Sequence, residues 1–280
     1  ANHLTFAHCT LMEANLMNWQ ENSAQLKANW DRDGYVVVRQ FLSEKEVIAL
    51  RGEIDRYISD VLPKVPELEV MYEEPGKPET LKRLGHMSRF DDYFESLINT
   101  GKFVELAELL IGGKVDPQYC QLFNKPARVG VETPPHQDGF YIPLLPQSAL
   151  TMWLALNEAD EKNGCLRYVK GAHLKGVRPH NPTEIVGFSQ GIVDFGNSDL
   201  TDEVPVPASS GDVLIHHWLM IHRAEPNESD RERWGLGTVF YAEGVQQDEV
   251  RMEAYREELE KVKEKWVPNM GALSREKEQQ

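Results

Sequence analysis

Two histidines, a carboxylate and an arginine are the residues best suited to do chemistry together. His136 and Asp138 are separated only by Gln137, and His222 and Arg233 follow. Two imidazoles and one carboxylate on one face of a metal leave coordination positions open, which suits non-haem Fe(II) oxygenases. A guanidinium nearby offers a planar fork for the carboxylate of an oxo-acid cosubstrate. A His-x-Asp triplet alone carries little weight. With nine His in the chain, about one such triplet arises by chance, so the context must decide.

The elements must bring these residues to one place. A strand projects alternate side chains to the same face, so His136 and Asp138 can point together into a barrel mouth, and Pro134-Pro135 suits the entry to such a strand. A distant strand must supply the third ligand. Gly211-Asp212-Val213-Leu214-Ile215 reads as a turn feeding one, and His216, His217 and His222 follow it. From about residue 118 short apolar runs alternate with turn signals, at 118–124, 150–156, 165–169, 212–217 and 234–242, with Asn163-Gly164 as a tight turn. This pattern predicts a mainly β chain with flanking helices, its core an antiparallel barrel or jelly roll.

The N-terminal part, about 20–115, reads as helical around one strand. A short helix ends near Trp30, Asp33-Gly34 turns the chain, and Tyr35-Val36-Val37-Val38 is β-branched. Ser43-Glu44-Lys45-Glu46 is a capping box, followed by apolar residues at helical spacing from Val47 to Val61 and stopped by Pro63. The Pro- and Glu-rich stretch 63–80 is expected to be a mobile loop, and a second helix spans roughly 102–111 before Gly112-Gly113. After a β core at about 118–243, residues 246–280 are expected to form an outer helix, with a partial stripe at Val250, Met252, Tyr255, Leu259, Val262 and Trp266, and a loose tail from about Pro268. The whole of 1–280 is expected to be one domain.

Composition narrows the setting. A net charge of −15 disfavours nucleic acid and anionic membranes as partners. No apolar run approaches membrane-spanning length. Cys9, Cys120 and Cys165 are too few and too scattered for a disulfide framework or zinc knuckle. With no secretory layout at Ala1-Asn2-His3-Leu4 and no Ser-Lys-Leu at the end, a cytoplasmic location is expected.

Taken in order, several segments resemble the phytanoyl-CoA dioxygenase family of Fe(II)/2-oxoglutarate oxygenases. They are Asp33-Gly34-Tyr35-Val36-Val37, Pro135-His136-Gln137-Asp138, Asn163-Gly164-Cys165-Leu166, Lys170-Gly171-Ala172-His173, Gly211-Asp212-Val213-Leu214 and Ile221-His222 with Arg233. Departures are small: Lys170-Gly171-Ala172-His173 replaces a commoner Pro-Gly-Ser-His, and Gly139 stands where Asn or Ala is frequent. The resemblance implies a double-stranded β-helix (jelly roll, cupin-like). It selects His222 as the third ligand over His216 and His217, which are then structural or support the ligands. It makes Arg233, rather than Arg231, the clamp for the distal carboxylate of 2-oxoglutarate. It also implies that Trp153, Gln121 and Arg83 approach the cosubstrate. Fe(II), 2-oxoglutarate and dioxygen follow as the reaction's requirements. Asp138 implies hydroxylation rather than halogenation, since halogenating relatives replace the carboxylate to make room for halide.

The substrate is less legible. Phe140 and Tyr141 follow the iron motif and are expected to line the mouth. Arg128, Arg178 and His180 are expected to meet an anionic group, which points to a small anionic or zwitterionic substrate such as an aminophosphonate or amino-acid derivative. A fatty acyl-CoA is the competing substrate. A metal-binding cupin or sensor without turnover, and more distantly a hydrolytic zinc enzyme, are the competing functions.

Overall fold

The structure is a computed structural model and describes residues 18–99 and 101–270; Cys9 and residues 271–280 fall outside them. Helix α1 (Ser23–Asp33) runs three residues past the end expected near Trp30 and stops where Gly34 takes a left-handed conformation (φ 79°), its N–H bonded to Trp30 O. Any Cβ at Gly34 would also meet the His173 ring at 2.3 Å, so this glycine is required for space as well as for φ. Strand β1 (Tyr35–Val38) follows, then α2 (Glu44–Arg56), opened by the expected reciprocal Ser43–Glu46 capping box.

The stretch 63–80 is not a free loop. Val70, Met71 and Tyr72 form β2 (Val70–Tyr72), which pairs with β3 (Leu81–Leu84), and all three are buried. The Pro and Glu residues around it confine the strand to three positions, too short to show an alternation in the sequence. Helices α3 (Asp92–Asn99) and α4 (Lys102–Ile111) pack next, and α4 ends at left-handed Gly112 as expected.

The β region then supplies β4 (Val115–Lys125), β5 (Thr133–His136), a helical turn α5 (Asp138–Tyr141), β6 (Leu144–Leu145), β7 (Ala149–Ala155), β8 (Leu166–Val169), β9 (His180–Pro182) and β10 (Gln190–Ile192). After α6 (Asn197–Asp202) come β11 (Glu203–Val206), β12 (Val213–His217), β13 (His222–Ala224), β14 (Arg233–Ala242), β15 (Gln246–Gln247) and α7 (Glu249–Trp266). Seven strands form a large antiparallel sheet in the order β1-β12-β7-β14-β4-β3-β2, and four form a smaller one in the order β11-β8-β13-β5.

The outer face of the large sheet is covered by the helices. Met152, Leu154, Ile215, Leu236 and Phe240 share one buried cluster with Trp30, Leu50, Ile54, Phe94 and Leu106. Its inner face meets the small sheet, where Trp153 and Leu214 cluster with Leu166, Tyr168, Ile221 and Ala224. Strand β7 is therefore buried at every position, which is why it reads as a continuous apolar run rather than an alternation. Burying each such Leu, Ile or Phe contributes roughly 1.5–3 kcal/mol, so the site rests on a rigid floor. The tail does not loosen at Pro268: Met270 is buried and bridges Met71 of β2. Among the described residues no helix is long and apolar enough to cross a membrane.

Candidate active site

His136 ends β5, and His222 opens β13 directly opposite it in the small sheet. Each imidazole donates Nδ1–H to a carbonyl two residues back, His136 to Pro134 O at 2.7 Å and His222 to Met220 O at 3.0 Å. This fixes the tautomer and turns both Nε2 lone pairs inward. Asp138, at the start of α5, completes the set: each Nε2 lies 3.8 Å from its Oδ1. The three ligand atoms lie within 4.8 Å of one another. Burial pushes both imidazoles down, His222 further because His136 and His216 crowd it, so both present neutral nitrogen. Burial alone would raise the Asp138 carboxyl, but the surrounding His222, His216 and His136 rings and the His216 hydrogen bond hold it well below the usual carboxylate range.

The second oxygen of Asp138 is held from behind. Thr151 Oγ1 donates to Oδ2 at 2.7 Å, and His216 Nε2 lies 3.2 Å from the same atom. The Tyr168 hydroxyl bonds His216 Nδ1 at 3.0 Å. His216 thus orients the carboxylate, while His217 packs on Trp30 and His173 on the other side of the strand. Gln137 points away from its neighbours and is fully buried: it donates to Gly176 O and Leu219 O and accepts from Arg178 N, tying together the loops around the ligands.

Register explains how the large sheet makes the floor. Side chains in one cross-strand row share a face. Thr151 pairs Val239 and His216, Trp153 pairs Gly237 and Leu214, and Gly237 in turn pairs Gln121. One row further lie Gly235, Phe123 and Arg83, and at the end Arg233 opposite Lys125. Along β14 the inner face therefore reads Arg233-x-Gly235-x-Gly237. A Cβ at Gly235 would meet the Trp153 indole at 2.1 Å, so the missing side chain is what lets that ring lie flat over the strand. Arg233 is buried, its guanidinium 5.0 Å from the Trp153 ring, and Nη1 donates to Gly164 O at 3.0 Å. Among the described residues no carboxylate pairs with it, its Nε has no partner, and burial pushes its pKa down to about 10. A buried guanidinium without an anion is costly, and a ligand carboxylate is the partner its fork fits.

Triad and clamp open into one cavity of about 460 Å³, which Gln121, Trp153, Arg83 and Tyr141 also line. Tyr141 sets its ring edge on His136 and donates its hydroxyl to Gln190 O at 2.6 Å. Four expected substrate contacts are absent from the lining. Arg128 lies at the surface on Asp230 (2.6 Å), in a left-handed turn with φ 69°. Arg178 is consumed by Asp199 at 2.6 Å and Asp194 at 2.8 Å. His180 has both nitrogens in use, toward Gln137 N and Arg178 O, and Phe140 stacks on it at 4.1 Å instead of facing the mouth. The helical turn after Asp138 rotates Phe140 outward, which a strand reading does not anticipate.

Other lining residues escaped the sequence reading. Met252, Tyr255, Leu259 and Trp266 of α7 close the far wall, so the partial stripe on that helix covers the site rather than the outside of a finished domain. Tyr255 bonds Ser189 at 2.9 Å and Glu258 accepts from Gln190 at 3.0 Å, anchoring α7 to β10. The alternating glycines after Arg233 were the one legible signal for the floor.

Comparison with known proteins agrees with this geometry. The family model "Phytanoyl-CoA dioxygenase (PhyH)" matches residues 30–235. The phytanoyl-CoA dioxygenase domain-containing protein 1 homolog of Caenorhabditis briggsae is 23% identical over 258 residues, covering 75% of this chain and 88% of that protein. Among solved structures, the epimerase SnoN in complex with Fe3+, alpha ketoglutarate and nogalamycin RO superposes with a TM-score of 0.64 at 24% identity, covering 81% of this chain and 86% of that one. EvdO2 from Micromonospora carbonacea var. aurantiaca, complexed with 2-oxoglutarate, gives 0.61 at 24% identity, covering 80% and 91%. The fold is the jelly roll of Fe(II)/2-oxoglutarate-dependent oxygenases. Within that class the chain belongs to the phytanoyl-CoA dioxygenase family, and its cofactors are iron, 2-oxoglutarate and dioxygen.

Proposed function

We propose that the protein hydroxylates a C–H bond of a small molecule with release of succinate and carbon dioxide. The observation that carries this reading is the buried Arg233, with no carboxylate partner among the described residues, in the same cavity as the His136–Asp138–His222 triad. In this reading His136, Asp138 and His222 hold the iron, and Arg233 binds the distal carboxylate of 2-oxoglutarate while Trp153 walls it. Gln121 and Arg83, on neighbouring inner-face rows, reach the cosubstrate from the side. Bound iron and 2-oxoglutarate supply the oxidising chemistry. The chain's own part is to hold the donors in place, to orient the target bond and to exclude water. Thr151 and His216 fix the Asp138 carboxylate so that one oxygen faces the metal, and α7 with Phe188 and Tyr141 shields the cavity.

A metal-binding module without turnover has no use for a carboxylate clamp at Arg233. The expectation of an anionic or zwitterionic substrate loses its basis, because Arg128, Arg178 and His180 are engaged elsewhere. SnoN is described as an epimerase, so a shared scaffold does not by itself dictate hydroxylation; the retained Asp138 carboxylate is what favours it here over halogenation. The test is 2-oxoglutarate-dependent succinate release from the iron-loaded enzyme, with and without a small-molecule panel. The Asp138→Ala variant should lose turnover, and wild-type-like release in that variant would remove the assignment.

A further inference from the structure

A second polar constellation lies in the same cavity and takes no part in holding iron or cosubstrate. His86 and Glu69 both line it. Glu69 Oε2 lies 2.8 Å from His86 Nδ1. The glutamate reaches the ring because Gly85 stands between them: a Cβ there would fall 2.2 Å from Glu69 Oε2. The Gly85 N–H also bonds Glu69 O at 2.7 Å, pinning the end of β3 to the start of β2. His86 itself is held in the left-handed region (φ 41°, ψ 40°), and its ring packs edge-on against Tyr119 at 4.7 Å. A left-handed backbone at a non-glycine residue is strained and persists where the surroundings over-determine it. Three independent constraints therefore fix one imidazole, and with Nδ1 committed to a carboxylate, Nε2 is its remaining polar atom.

Much of the remaining lining is apolar and aromatic: Met71, Met252, Tyr255, Leu259 and Trp266 line the same cavity, and Phe188 packs on His136 at 5.4 Å. The nearby charges largely offset one another: Lys263 pairs with Glu260 at 2.8 Å, and the Glu69 carboxylate has the Arg83 and Arg89 guanidinium groups close enough to favour its charge. Position along the sheet sets a distance. Tyr119 shares a cross-strand row with Thr151, with β14 between them. Two strand spacings are about 10 Å, Thr151 bonds the iron ligand Asp138, and His86 lies on the far side of Tyr119.

We propose that His86, oriented by Glu69, is a substrate-positioning residue, and that the substrate is a neutral molecule with an apolar, ring-bearing body and a hydroxyl at the end remote from the oxidised carbon. The hydroxyl donates to His86 Nε2, and the body lies between β2 and α7 with its other end at the iron. This inference deepens the oxygenase reading and rests on it.

The test compares two rigid two-ring probes, 4-phenylphenol and 4-methoxybiphenyl, which differ in one hydrogen-bond donor. Binding to the full chain loaded with Fe(II) and 2-oxoglutarate is measured anaerobically by calorimetry. The wild type should bind the phenol about tenfold tighter, the value of one well-placed hydrogen bond. His86→Asn, a residue that tolerates left-handed backbone, should bind both probes alike while keeping the visible band of the iron–2-oxoglutarate complex. Glu69→Ala should lose most of the preference without touching the strained position. Equal binding of the two probes to wild type, binding of neither, or a preference retained in both variants would overturn the proposal. A missing iron–2-oxoglutarate band in the wild type would instead strike the oxygenase reading, and the probe comparison would still report on His86.

Discussion

Gly235→Ala is the perturbation that most sharply probes the floor of the site. The added methyl would lie 2.1–2.4 Å from Cε2, Cζ2 and Nε1 of Trp153. Ordinary carbon–carbon contact is about 3.5 Å, so the indole must retreat by roughly 1.4 Å. Leu214 and Gly237 flank Trp153 in its row, and the strand beneath is buried on both faces. The ring can move only into the cavity, toward the space beside Arg233. Overpacking of this kind costs about 1–3 kcal/mol, and the same displacement narrows the place where a cosubstrate carboxylate would meet the guanidinium. The expected outcome is a clear fall in Tm together with a rise of about tenfold or more in the KM for 2-oxoglutarate, read by succinate release. Gly237→Ala is the internal control: its Cβ would meet Phe123 at 3.1 Å, a far milder contact that a small ring shift relieves. If Gly235→Ala kept both wild-type stability and wild-type KM, Trp153 would not be the wall of the cosubstrate site.

Three further outcomes follow from the same geometry. Arg233→Gln removes the charge opposite the cosubstrate and should raise its KM at least about thirtyfold, with Arg233→Lys intermediate because it restores charge without the fork; a steady-state 2-oxoglutarate titration decides. Thr151→Val deletes the 2.7 Å hydrogen bond to Asp138 Oδ2 at nearly constant shape and should weaken Fe(II) binding roughly tenfold, measured by metal competition. Burial drives both His180 and His217 down to about 4, so between an unfolded value of about 6.5 and that point the unfolded chain binds protons that the fold refuses. Stability should therefore be full near neutrality and fall as pH drops through this window, by at most about 3 kcal/mol for each ring. The urea midpoint should show it, and His217→Gln should flatten part of the slope.

Much of the site was legible because its chemistry is encoded locally. His136 and Asp138 are two residues apart, and β5 and β13 needed only the register that sets His222 opposite His136. Arg233 was separated from Arg231 only by the family resemblance, since parity alone puts both on one face of a strand. The residues that hold the site together were not legible in the same way. Thr151 and His216 support Asp138 only because β7 and β12 are neighbours in the sheet, a tertiary fact with no local signature. Strand β2 is too short for an alternation, and α7 shows only a partial stripe because one edge of it faces a cavity rather than a core. Arg178 and His180 misled because a cation near an active-site motif in sequence says nothing of the Asp194, Asp199 and Gln137 groups that the fold brings to it.

The central claim is that one cavity binds iron through His136, Asp138 and His222 and 2-oxoglutarate through Arg233. Anaerobic titration of the protein with Fe(II) and then 2-oxoglutarate tests it most directly. A weak visible metal-to-ligand charge-transfer band should grow with 2-oxoglutarate, saturate at one equivalent of iron per chain, disappear in Asp138→Ala and need far more cosubstrate in Arg233→Gln. Tight iron binding with no such band and no succinate on admitting air would contradict the claim and leave a metal-binding jelly roll.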